Sequence, residues 1–160
     1  MRSAGNKGFT LLELMLTVLV TALVLAVTYP ALSRGSTALH LRATGRDILS
    51  IFRYAREKAV TEQTGMKVTI DRETQRVTLT DAFGDGSRDY FLPQDVRIQR
   101  IALAGNEVLD GPLTVRFLPN GSSDSAEILI ASATGSSLRI VSDPITGGAS
   151  IQSAARGIAP

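Results

Sequence analysis

The residue with the sharpest chemical meaning in this chain is Glu13. It is the one charged side chain between Phe9 and Leu32, in a run otherwise made almost wholly of Leu, Val, Ala, Met and Thr. A lone carboxylate in an apolar stretch of membrane length is costly, so it calls for a specific partner. Other reactive groups are sparse. His40 is the single histidine and falls in a stretch with helical spacing. Cysteine is absent, which removes thiol nucleophiles, disulfides and metal sites built from His and Cys. No serine stands in a G-x-S-x-G context. Asp81, Asp85 and Asp89 share a Gly-rich segment and would be the only candidate ligands for Ca²⁺. Their spacing departs from an EF-hand loop, and solvated turn residues account for them more simply. The sequence therefore predicts no enzyme, no cofactor, no metal and no small-molecule substrate.

The element that holds Glu13 is the apolar run itself. Residues 9–32 are 24 in number and contain no Lys or Arg. As a helix rising about 1.5 Å per residue they reach about 36 Å, enough to cross a hydrocarbon core of about 30 Å. Arg2 and Lys7 precede the run, which predicts a cytoplasmic leader and a remainder across the membrane. A cleaved secretory signal is shorter and ends in a small-residue cleavage site, which this segment lacks. A plain signal anchor fits the length, but it gives no reason for Glu13.

Lys7-Gly8-Phe9-Thr10-Leu11-Leu12-Glu13-Leu14 resembles the class III signal of type IV pilins and type II secretion pseudopilins. The resemblance implies cutting by a prepilin peptidase between Gly8 and Phe9 and N-methylation of Phe9 as the first mature residue. It also implies that the apolar helix is retained as anchor and assembly element. Glu13 then has a physical role. In a bundle of parallel helices each new N-terminus is a cation among apolar side chains, and a carboxylate four residues along can meet the amine of a neighbour. Pairing removes two uncompensated charges and fixes the axial register.

Pro30 removes one helical hydrogen bond and marks a kink within this helix, at a point where the family commonly has a proline. Beyond it Leu41, Ile48, Phe52, Ala55 and Ala59 recur at helical spacing, with Arg42, Arg46, Arg53, Arg56 and Lys58 largely elsewhere. One helix is expected over residues 9–62, with Gly65 as its stop. Alternation then predicts strands at 66–71, 76–81, 96–103, 113–118, 127–131 and 138–142, with a hairpin turn at 134–137. The expected fold is α+β: a long N-terminal helix packed on an antiparallel sheet or sandwich. The organisation is a leader at 1–8, a transmembrane half-helix at 9–32, an amphipathic half-helix at 33–62 and a periplasmic β-domain at 66–160.

The second half carries its own resemblance. Phe117-Leu118-Pro119-Asn120-Gly121-Ser122, the strand pair at Ile128-Leu129-Ile130 and Leu138-Arg139-Ile140-Val141, and the late Thr146-Gly147 resemble the GspH/FimT family. Members often have a basic residue after the late Thr-Gly, and Gly148 stands there in this chain. A basic tail is linked to DNA uptake in some FimT-type pilins, so its absence argues against that role. Composition agrees. The net charge of +2 includes Arg2 and Lys7, so loss of the leader leaves fifteen basic and fifteen acidic side chains. No run of basic residues suggests a nucleic-acid surface. The expected function is a minor pseudopilin of a type II secretion system, anchored in the bacterial inner membrane. Its expected partners are other major and minor pseudopilins, the prepilin peptidase and inner-membrane lipid. The alternatives are a FimT-like minor pilin of a type IV pilus and a membrane-anchored periplasmic binding module.

Overall fold

The spacing of Leu41, Ile48, Phe52, Ala55 and Ala59 puts five side chains on one face of a helix, and in the computed structural model all five are buried. The structure describes residues 9–153, apart from the side chains of residue 27, residues 29–36 and residue 153. Helix α1 spans Leu11–Thr61. Residues up to Ser36 and those from Thr37 fall in two separate units.

In the first unit the described side chains of α1 are solvent-exposed on every side in the isolated chain, Leu11, Leu16 and Leu23 among them. A helix that is apolar all round must be covered by lipid or by other protein. Among the described residues no helix is long and apolar enough to cross a membrane. The side chains described without interruption are residues 11–26, so part of the expected 9–32 span lies outside that set.

In the second unit α1 is followed by nine strands: β1 Met66–Asp71, β2 Arg76–Asp81, β3 Arg88–Phe91, β4 Val96–Leu103, β5 Asn106–Glu107, β6 Leu113–Phe117, β7 Ala126–Ser132, β8 Ser137–Ser142 and β9 Ala149–Ser153. They form two antiparallel sheets, in the orders β3-β2-β1-β6 and β5-β4-β7-β8-β9. The fold is α+β, as expected. Alternation along β1 places Met66, Val68 and Ile70 inward, and along β6 it places Leu113, Val115 and Phe117 inward. Phe117 meets Phe52 of α1 edge to face, with ring centroids 5.5 Å apart. Such a pair adds about 0.5–1.5 kcal/mol beyond the area it buries. A bulge between Ile98 and Arg100 lets β4 turn both Ile98 and Ile101 inward although they are three apart. Gly45 lets α1 approach closely: a methyl group there would lie 3.2 Å from Ile151 and 3.3 Å from Leu138.

Three details differ from the sequence expectation. The helix ends at Thr61, and its left-handed residue is Gln63 (φ 52°), not Gly65. Gln63 holds its place by donating from Nε2 to the Val60 carbonyl at 2.6 Å. Strands β3, β5 and β9 are additional to those expected. Several strands differ by one residue at an end, as in β7, which runs Ala126–Ser132 where 127–131 was expected.

Candidate functional site

The N-terminal end of α1 is built around Thr10. Its hydroxyl oxygen accepts the Glu13 backbone N–H at 3.2 Å, and its carbonyl accepts the Leu14 N–H at 3.1 Å. Thr10 is thus the N-cap, and Glu13 stands three residues on, where an acid also faces the positive end of the helix. The other hydroxyls of this stretch turn inward on their own helix. Thr17 donates to Leu14 O at 2.8 Å, Thr21 to Thr17 O at 2.7 Å and Thr28 to Val24 O at 2.8 Å. Such back-bonds satisfy a hydroxyl where no water reaches. Among the described side chains of residues 11–26, the Glu13 carboxylate alone has a polar group with no partner. The local sequence therefore leaves one unpaired anion on an apolar rod, next to the chain's expected new terminus.

Phe9 lies just before the helix and is exposed, while Gly8 lies outside the described residues. Pro30 falls within the assigned span of α1, and its side chain lies outside the described set. His40 pairs through Nδ1 with Asp95 Oδ2 at 2.7 Å, which ties α1 to the loop before β4. The three aspartates considered for Ca²⁺ do not converge. Asp81 caps its own turn, accepting the N–H groups of Phe83 at 3.0 Å and Asp85 at 2.7 Å. Asp89 accepts from the Thr78 hydroxyl at 2.7 Å and lies 3.4 Å from the Arg76 guanidinium. Among the described residues no group of three or more acids and histidines is placed to hold a metal.

A second constellation joins the two halves of the late sequence pattern, and sequence reasoning did not foresee it. The Phe117–Ser122 segment forms a tight turn in which Gly121 (φ 85°) donates to Leu118 O at 2.9 Å and Leu118 donates to Ser122 O at 2.9 Å. Arg56 of α1 donates from Nε to the Gly121 carbonyl at 3.2 Å. Gly147 (φ 62°) sits against the same carbonyl; a methyl group there would lie 2.2 Å from that oxygen. Arg56, Gly121 and Gly147 thus clamp helix, turn and the β8–β9 loop together. The turn and the Thr-Gly pair are visible in sequence, but their meeting is a tertiary contact with no local signal.

Carboxylates elsewhere are held by partners. Arg116 grips Asp124 with two N–H groups at 2.9 and 3.1 Å and keeps its carboxyl below the usual range. The N–H groups of Ile145 and Thr146 do the same for Asp143. Tyr90 of β3 donates to Asp47 of α1 at 2.6 Å, and burial together with that carboxylate raises its phenol to about 12. Arg100 and Arg139 share Glu127 at 2.8 and 3.3 Å.

Residues 3–29 match the prokaryotic N-terminal methylation motif, and residues 44–149, well over half the chain, match the family Type II transport protein GspH. No curated protein matches in sequence. A solved structure of the minor pseudopilin EpsH from the type 2 secretion system of Vibrio cholerae is similar at a TM-score of 0.59 and 14% identity, over 76% of this chain and 99% of that one. A second EpsH structure from the same organism aligns at a TM-score of 0.56 and 14% identity, over 76% and 97%. The type IV minor pilin FimU of Pseudomonas aeruginosa aligns at 0.49 and 15%, over 75% and 92%. At these identities the EpsH likeness establishes a shared fold. The chain belongs to the GspH family of type II transport proteins, within the type IV pilin superfamily, and enters it with an N-terminal methylation motif ahead of the family domain.

Proposed function

We propose that this protein is a minor pseudopilin that joins the tip of a short periplasmic filament in a type II secretion system. It is made as an inner-membrane precursor and cut by prepilin peptidase between Gly8 and Phe9, and its new terminus is methylated. Residues 9–32 anchor it in the bilayer, with a bend at Pro30, until it enters the filament among other pseudopilins. The β-domain stands in the periplasm. Its work is mechanical and not enzymatic: it initiates or caps the filament that drives folded proteins through the outer-membrane pore.

The single observation that carries this reading is the order of the two matches on one chain, methylation motif at 3–29 and GspH domain at 44–149. The unpaired Glu13 fits it. In a stack of parallel helices that carboxylate meets the Phe9 amine of a neighbour, and a buried ion pair whose partner is missing costs about 3–5 kcal/mol. The test is affinity isolation of the full chain from membranes of a strain that makes the whole system. Recovery of other pseudopilins and loss of protein export on deletion of the gene are expected. Isolation of the chain alone, with export intact in the deletion strain, would overturn the reading.

A further inference from the structure

The free edges of the two sheets are protected to different degrees. β5 has two residues, and β3 has four with the charges of Arg88 and Asp89 on it. The outer side of β6 is covered by its own chain: Asp124 N–H donates to Arg116 O at 3.0 Å, Arg116 N–H donates to Asp124 Oδ2 at 3.0 Å, and Phe117 bridges to Ser123. β9 is the exception. Its five residues, Ala-Ser-Ile-Gln-Ser, hold no charge and no proline, and among the described residues they pair in regular register with β8 on one side only. Proteins usually blunt an edge of this kind, because its unpaired N–H and C=O groups template another strand.

A cleft of about 470 Å³ opens beside the start of β9, lined by Arg53, Arg56 and Glu57 of α1 and by Gly147, Gly148 and Ala149. Arg53 and Arg56 stand three apart on the helix and face the same side. Arg53 is exposed and makes no hydrogen bond or ion pair among the described residues. Arg56 gives Nε to the Gly121 carbonyl, and no described group takes its other N–H donors. The two glycines leave the opposite wall as bare backbone. Guanidinium donors therefore outnumber the single carboxylate in the cleft, and Ala149, the first residue of β9, forms part of its wall.

We propose that β9 and this cleft receive an extended acidic segment of a different filament subunit, which adds to β9 as a strand and sets a carboxylate against Arg53 and Arg56. The inference rests on the filament reading above. Residues 154–160, which follow β9 in sequence, carry no Asp or Glu side chain, so an acidic side chain for the cleft comes from elsewhere. A second copy pairing β9 to β9 also brings no acid to the edge, since β9 has none.

The test replaces the exposed Ser150 of the full chain with a photo-reactive amino acid, in cells that make every filament subunit. Crosslinked peptides and the chain's recovery in the filament fraction are read from the same samples. The expected adduct maps to an Asp- or Glu-bearing extended segment of another subunit. Its yield falls about tenfold or more with Arg53→Glu, as a like-charge contact requires, is kept by Arg53→Lys, and returns when the partner's acid is changed to Lys. Near-UV circular dichroism of Arg53→Glu is expected to match the parent, because Arg53 has no bond to lose. An adduct to a second copy, to the chain's own tail or to lipid, or a yield indifferent to Arg53→Glu, overturns the inference. Incorporation into filaments with no adduct overturns it alone; failure to incorporate overturns the filament reading and this inference with it.

Discussion

Replacing Gly147 with alanine isolates the contact that joins the late Thr-Gly pair to the turn at Gly121. Two costs apply. Gly147 has φ 62°, and placing an L-residue in the left-handed region costs about 1–2 kcal/mol. The new methyl group would also stand 2.2 Å from the Gly121 carbonyl oxygen. That neighbour is backbone, so the β8–β9 loop must move, at about 1–3 kcal/mol for overpacking. Movement loosens the Arg56–Gly121 bond, worth about 0.5–1.5 kcal/mol. The expected loss is about 3–6 kcal/mol. Gly135 supplies the control: it has φ 84° with nothing within 4 Å of a built methyl group, so Gly135→Ala carries the conformational cost alone, about 1–2 kcal/mol. For a domain of this size the melting temperature should fall by about 10 °C or more for Gly147→Ala and by about half that or less for Gly135→Ala. Thermal unfolding of the full chain in detergent, followed by near-UV circular dichroism, measures both. Equal shifts for the two variants would refute the close approach and leave only backbone conformation.

Three other perturbations follow from the same geometry. Glu13→Gln removes the unpaired carboxylate while keeping its size, so the precursor should still be processed while filament incorporation falls at least about tenfold; undiminished incorporation would remove the register contact. Tyr90 should titrate near 12, because burial and the Asp47 carboxylate raise its phenol. Because its folded value is raised, the stability it contributes is present below pH about 10 and lost as pH climbs through about 12, and an ultraviolet titration in which Tyr90→Phe removes no ionisation near pH 12 would contradict the Asp47 bond. Asp124 has a lowered value, so its contribution is present above its unfolded range and is lost as pH falls through the folded one. Asp124→Asn should therefore flatten the acid limb of a stability–pH curve without altering the alkaline limb, and an unchanged acid limb would count against the Arg116 pairing.

Much of this fold is legible in the sequence because its periodicities are clean. Leu41, Ile48, Phe52, Ala55 and Ala59 announce one helical face, and Met66-Lys67-Val68-Thr69-Ile70 announces a strand with alternate residues buried. β3 is hidden because Tyr90 is the only one of its four residues that turns inward, and Arg88 and Asp89 read as loop. β9 is hidden because Ile151 is its only large apolar residue. The helix stop is misplaced by two residues and in kind: Gln63 takes the left-handed conformation that glycine would take at less cost, and Gly65 follows with no positive φ. Of the candidate site, Glu13 and its apolar setting are plain from composition alone. The Thr10 cap is a short-range pattern of the capping-box type, present in the sequence as Thr10-x-x-Glu13. The Arg56–Gly121–Gly147 clamp joins residues 65 and 26 positions apart, and no local rule reports such a meeting.

The account stands on a leader that is removed and an apolar helix that is kept. Direct sequencing of the amino terminus, on full chain purified from membranes of cells with and without prepilin peptidase, tests both at once. With the peptidase the account predicts a terminus at N-methylated Phe9, and without it a terminus still carrying the leader. A purified protein that keeps Met1 in the presence of the peptidase, or one that begins near residue 35, would contradict it.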